Sequence, residues 1–289
     1  MQSPTKLVPS MISLVPAPAQ VFIAILSIQL GAVFAVSLFP VLGPIGTVFF
    51  RLAISALLLY VLIRPKFDRK VWQHRYLLLT YGVALGLMNW CFYESIARIP
   101  LGIAVTIEFM GPLLVAAISS KSRLEILWIL IAFAGILILT PNIGDELDTL
   151  GVVFAVLAGI GWGGFIILSK QINKVLPGSD GLAIGMIVAS IFIFPFVVSN
   201  LSVSAIDAYL VGNLVMLALL STTIPFYLEF SALKKMTSQA YGVLITLEPA
   251  VAAVIGMIAL GDVLGINGLV AIVFVTVAAV GSTLTQKPG

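Results

Sequence analysis

Charge is scarce in this sequence. Asp, Glu, Lys and Arg make up 9% of its 289 residues and hydrophobic types 61%, whereas a soluble domain carries about 25% charged and about 45–50% apolar residues. There is too little polar surface to coat a water-soluble globule of this size, which excludes a cytosolic enzyme, a nucleic-acid binder and a disordered chain. One cysteine, Cys91, excludes an internal disulfide, and one histidine, His74, excludes a His-based metal cluster. No G-x-x-x-x-G-K-[ST] loop is present to hold a nucleotide. No cofactor or metal is therefore expected. The pI near 9.0 reflects a net charge of only +3 with dispersed basic residues, so it does not signal nucleic acid as a partner.

Long apolar runs fill the space that charge leaves. A helix needs about 20 mostly apolar residues to cross a bilayer. Ten segments meet or nearly meet that length: 19–39, 44–63, 76–96, 102–119, 125–140, 150–170, 182–199, 211–233, 239–260 and 266–284. Runs such as Ile126-Leu127-Trp128-Ile129-Leu130-Ile131-Ala132-Phe133 do not alternate, as barrel strands would. The expectation is an all-α integral membrane protein with ten transmembrane helices and the lipid bilayer as its main partner. The first segment follows a long lead-in spotted with proline (Pro4, Pro9, Pro16, Pro18) and reads as a retained helix, not a cleaved signal.

Lys and Arg in short loops set orientation. There are 15 in all; with the N-terminus inside, Arg51 falls within a span, Arg98 falls outside and the remaining 13 fall inside. Both termini are thus expected in the cytoplasm.

The chain also resembles itself. Phe109-Met110-Gly111-Pro112-Leu113-Leu114 parallels Thr246-Leu247-Glu248-Pro249-Ala250-Val251, and Phe92-Tyr93-Glu94 echoes Phe226-Tyr227-Leu228-Glu229. These matches suggest two five-helix halves, 1–147 and 148–289. An odd number of spans per half inverts the second, the arrangement common in secondary transporters, with a substrate site near the midplane.

With these motifs in view, the sequence resembles the drug/metabolite transporter superfamily in its ten-helix, two-EamA-domain form. The residues that carry the resemblance include Ser27-Ile28-Gln29, Ser37-Leu38-Phe39-Pro40, Met88-Asn89, Phe92-Tyr93, Glu108-Phe109, Gly111-Pro112, Glu248-Pro249-Ala250 and Gly281-Ser282-Thr283-Leu284-Thr285. The likeness spans nearly the whole chain and points to the subgroup that exports small neutral amino acids, threonine and homoserine first, from a bacterial inner membrane. Other amino acids, drugs or metabolites are the alternative cargo. Where the family often has a lysine, this chain has Val36, so any role of that lysine lacks its residue here.

Five ionisable residues fall within spans: Arg51, Glu94, Glu108, Glu229 and Glu248. Such groups are costly in a bilayer and are suspects for function by default. Glu94 sits four residues before Arg98, so an i,i+4 ion pair near the interface accounts for both. Glu229, near Lys234 and Lys235, is either an interfacial acid or a gate residue. Glu108 and Arg51 each lie about 9–10 Å from the outer side at 1.5 Å per residue. They suit a structural ion pair or a substrate or proton role. Glu248 is nearest the midplane with no basic residue at its depth, a candidate for proton coupling or for meeting a substrate ammonium. Asn89 and Tyr93, four apart, share one helix face. They suit either a substrate hydroxyl or carboxylate, or helix–helix hydrogen bonds. Trp162, flanked by Gly159, Gly161, Gly163 and Gly164, reads as an aromatic wall or as part of a close helix contact. Pro112 and Pro249 each free a carbonyl about one turn upstream and are expected to be mid-helix hinges beside a cavity.

An intramembrane enzyme would need an assembled nucleophile–base or metal set, and a channel would need a selectivity filter. Neither is visible. The partners expected of a carrier are the amino acid and protons, with the chain a monomer or homodimer.

Overall fold

A computed structural model describes residues 15–99, 101–119, 123–139, 148–176, 179–198, 208–245 and 247–260, with isolated helical positions between 266 and 281. Among the described residues the fold is all helix, with no strand. The helices are α1 (Ala17–Val36), α2 (Phe39–Ile63), α3 (Arg69–Gln73), α4 (Arg75–Ile96), α5 (Leu101–Glu108), α6 (Met110–Ser119), α7 (Arg123–Leu139), α8 (Thr149–Val175), α9 (Asp180–Val198), α10 (Ala208–Ala218), α11 (Ile224–Lys235), α12 (Ser238–Ile245) and α13 (Leu247–Leu260). A π-helical turn, Leu219–Thr223, joins α10 to α11.

Among the described residues, six stretches are long and apolar enough to cross a membrane: Ala17–Ala35, Phe39–Ile63, Arg75–Ile96, Thr149–Val175, Asp180–Val197 and Ala208–Lys235. Their outward positions carry large apolar side chains such as Leu57, Val61, Ile160, Ile191 and Phe194, all exposed, while Gln20, Gln29, Thr47, Ser55 and Ser169 are buried. Lipid explains this inversion, because apolar surface costs nothing there and polar groups must find partners inside the protein.

Local sequence sets the helix limits. Asp148 starts α8 by accepting from the Leu150 and Gly151 amides at 2.8 and 3.1 Å, and Asp68 starts α3 in the same way. Gly43, at φ 66°, kinks α2 just before Pro44. Only glycine takes that backbone without strain.

The helices of the two sequence halves interleave. α4 packs along α8 and against α9, α9 also covers α2, α11 lies against α1, and α6 against both α8 and α12. Small residues make the closest of these contacts possible. A Cβ at Gly111 would run into the backbone carbonyl of Gly159. Gly111→Ala must push α6 off α8, and overpacking of this kind costs about 1–3 kcal/mol or more. The purified variant is expected to melt several degrees below the parent in detergent, and an unchanged melting temperature would refute this account of the contact.

α7 packs on α5, α6 and α12 and turns Leu124, Ile126, Leu127 and Leu130 outward.

Candidate substrate and coupling site

Two helical spans are interrupted in the interior among the described residues, and in each a proline follows the interruption. Proline cannot donate to the carbonyl four residues before it. Pro112 thereby frees the carbonyl of Glu108, where α5 ends before a turn at Phe109. Pro249 likewise cannot donate to the carbonyl of Ile245. Pro225 frees that of Ser221, inside the π turn. The sequence reading placed Pro112 and Pro249 at mid-helix kinks. In the structure Pro112 is instead the third residue of α6, after a turn at Phe109 one turn upstream; residue 246, upstream of Pro249, lies outside the described residues. The freed carbonyl of Glu108 sits 2.7 Å from where a Cβ of Gly159 would stand. Glycine there lets the α8 backbone close over the break.

These interruptions surround one cavity. It offers about 60 Å³ to water centres and is lined by Ile28, Arg51, Met88, Asn89, Phe92, Glu108, Trp162, Ser221, Phe226, Glu229 and Glu248. At roughly 10–15 Å³ per water on that measure, it holds a handful of waters. One guanidinium and three carboxyl groups line it, and all four residues are buried: Arg51 5% exposed, Glu108 6%, Glu229 2% and Glu248 5%. Neither α7 nor α9 contributes a lining residue. For α7 this agrees with its lack of interior polar groups. For α9 the lining shows that a span without ionisable residues in its interior also stays outside the site. The tenth span, 266–284, falls largely outside the described residues.

Arg51 is held from three sides. Its Nη2 donates to Asn89 Oδ1, its Nη1 donates to Ser221 Oγ at 3.4 Å, and the Tyr93 ring lies 4.4 Å beneath the guanidinium. Asn89 Nδ2 in turn donates to the Leu85 carbonyl at 2.7 Å. Asn89 therefore spends both ends of its amide inside the protein, and Tyr93 backs Arg51 from outside the lining. Arg51 forms no ion pair with Glu108 in this conformation, although both face the same space.

The acids are less well matched. Glu248 Oε1 accepts from Gln29 Nε2 at 2.9 Å, while Glu248 Oε2 and Glu229 Oε1 have no hydrogen-bond partner among the described residues. Tyr241, fully buried, faces Glu229. Buried carboxyl oxygens left open onto a cavity are free to take a proton or a bound cation. Trp162 walls one side, its ring edge-on to Phe109 at 4.8 Å. Glu94 lies elsewhere, bonded to Arg98 and to the Trp90 indole.

Comparison with known proteins gives this site a context. Threonine/homoserine exporter RhtA of Escherichia coli K12 is 38% identical over 267 residues, covering 92% of this chain and 90% of that protein. RhtA of Salmonella typhimurium LT2 is 38% identical over 272 residues with the same coverage. The profile of the EamA-like transporter family matches residues 149–284. The chain belongs to the EamA-like transporter family. Its relatives are transporters and not enzymes, and it is a multi-pass membrane protein. One solved crystal structure superposes on this EamA-like transporter with a TM-score of 0.73, covering 93% of this chain and 96% of the other at 17% identity, so the two share a fold.

Two polar residues of this EamA-like site escaped the sequence reading of function. Gln29 figured there only as part of the family likeness, and Ser221 not at all. The signal for Ser221 was Ser221-Thr222-Thr223-Ile224-Pro225. Hydroxyls one turn before a proline can satisfy a loosened backbone, and π turns recur at functional sites. Ser221 Oγ donates to the Leu217 carbonyl at 2.7 Å, and Ser27 Oγ to that of Leu220 at 2.5 Å.

Proposed function

We propose that this EamA-like transporter exports small neutral amino acids, threonine and homoserine first, from the cytoplasm by proton antiport. In this reading it spans a bacterial inner membrane ten times as two inverted halves, 1–147 and 148–289, with both termini cytoplasmic. The observation that carries the proposal is the buried cavity in which one guanidinium faces three carboxyl groups. A zwitterion brings one carboxylate and one ammonium. Arg51, steadied by Asn89, Ser221 and Tyr93, takes the carboxylate. Glu248, whose second oxygen is open, takes the ammonium or a proton in turn. Glu108 and Glu229 are the further acids through which protons reach it. Trp162 and the apolar lining wall the site off from bulk water, and Pro112 and Pro249 serve as hinges about which the halves rock. Prolines at matching places in the two halves, Pro112 and Pro249, and the threonine/homoserine exporters among the relatives support this reading.

Cells overproducing the protein are expected to tolerate homoserine or threonine at concentrations that stop the parent strain. Everted vesicles should accumulate the same amino acids only while a proton gradient is maintained. Unchanged tolerance would refute the substrate class, and accumulation indifferent to an uncoupler would refute antiport. For orientation, Phe67→Cys and Leu147→Cys in a Cys91→Ser background should label differently from outside intact cells, with Leu147→Cys reactive and Phe67→Cys protected. The reverse pattern would overturn the topology.

A further inference from the structure

The segment between α2 and α4 takes no part in the cavity, yet it is the most charged stretch of the chain. Residues 64–75 hold five cations, Arg64, Lys66, Arg69, Lys70 and Arg75, against one acid, Asp68. Asp68 is occupied, since its Oδ1 accepts from the Lys70 and Val71 amides at the start of α3. The segment is fastened to the end of the bundle where α9 begins, through the Lys66 amide and Asp180 Oδ2 at 3.3 Å. Val71 is tucked under it, 7% exposed. Arg64, Lys66, Arg69 and Lys70 are all exposed, and none meets a carboxylate among the described residues.

Beside these cations stand three large exposed rings. Phe67 is 54% exposed, Trp72 65% and Tyr76 69%. Arg75 ties two of them together, donating to the Trp72 carbonyl at 3.1 Å and lying 4.5 Å over the Tyr76 ring. The segment begins directly after one apolar helix, Phe39–Ile63, and runs into another, Arg75–Ile96. It therefore lies at the membrane–water boundary, where amphipathic rings settle at headgroup depth. Four unpaired cations beside them have a natural counterpart in the phosphates of anionic lipids, and each such cation near an anionic surface strengthens association roughly fivefold. A soluble polyanion would leave the three rings without a partner.

We infer that residues 64–76 form a binding site for anionic phospholipid headgroups, with Arg64, Lys66, Arg69 and Lys70 on the phosphates and Phe67, Trp72 and Tyr76 among the upper acyl chains. The test is native mass spectrometry of the full-length protein in neutral detergent, titrated with phosphatidylglycerol or with phosphatidylcholine of the same chains. Phosphatidylglycerol should be retained about tenfold or more in preference, given four cations. The quadruple variant Arg64→Gln/Lys66→Gln/Arg69→Gln/Lys70→Gln should lose that preference. The charge-keeping set Arg64→Lys/Lys66→Arg/Arg69→Lys/Lys70→Arg should retain it. Should the quadruple variant not fold, Lys66→Gln/Lys70→Gln alone should reduce the preference markedly. Equal retention of the two lipids by the parent would overturn the inference. So would an undiminished preference in the glutamine variants, and displacement of the lipid by inorganic phosphate would identify a free-phosphate site instead.

Discussion

Arg51→Gln is expected to reduce export at least 100-fold while leaving the protein in the membrane. Arg51 is the cation that lines the cavity, and its Nη1 and Nη2 donors are aimed at neutral acceptors, Ser221 and Asn89. Glutamine can still reach one of those partners, so packing is preserved in part. It cannot neutralise a bound carboxylate, and removing one member of a buried charge pair costs about 3–5 kcal/mol. That loss corresponds to more than two powers of ten at 1.4 kcal/mol each. Arg51→Lys should be intermediate, because an ammonium keeps the charge but not the planar fork that spans Asn89 and Ser221. The measurement is initial rate of homoserine uptake into everted vesicles, normalised to the protein present. Export by Arg51→Gln near the parent rate would remove Arg51 from substrate binding and leave it as a packing residue.

The second large effect is expected at Glu248. Gln29 Nε2 donates to Glu248 Oε1 at 2.9 Å, and a glutamine at 248 keeps an oxygen in that place. Glu248→Gln is thus nearly neutral for the fold. It removes the one thing glutamine cannot supply, a group that is charged when facing an ammonium and neutral after taking a proton. Loss of that ion pair in a site screened from water is worth about 3–5 kcal/mol, so tolerance to homoserine and gradient-driven uptake should both disappear. Glu248→Ala should do the same and also lower thermal stability, because it leaves the Gln29 amide unpaired in the interior. A Glu248→Gln protein that exports like the parent would exclude this carboxyl group from the cycle and leave the task to Glu108 or Glu229.

Much of this was legible from the chain alone. Apolar runs cannot be mistaken for soluble surface, and α1, α4, α8 and α9 begin and end within a few residues of the segments read from hydropathy, except that α8 runs five residues further at its C-terminal end. An acid or base inside such a run stands out because it is expensive there, so Arg51, Glu108, Glu229 and Glu248 are visible in the sequence without the fold. Glu94 and Arg98 were paired by their spacing. Asn89 and Tyr93 were placed on one helix face, but not the fact that Arg51 claims both.

Composition and periodicity alone determined that the chain lives in lipid as helices, and which few residues are too polar for idle positions. Hydropathy measures how each residue partitions, one segment at a time, and partition is a property of sequence. What only the tertiary structure decided is who meets whom. Arg51 turns to Asn89 and Ser221 rather than to Glu108. Gln29 reaches across 219 positions of sequence to Glu248. The break between α5 and α6 lies one turn upstream of Pro112, beside the cavity rather than at the proline itself. Those choices depend on how closely helices approach, and that is set by contacts such as Gly111 against Gly159. Two helices remote in sequence must both be small at the same point, and no local pattern records that coincidence.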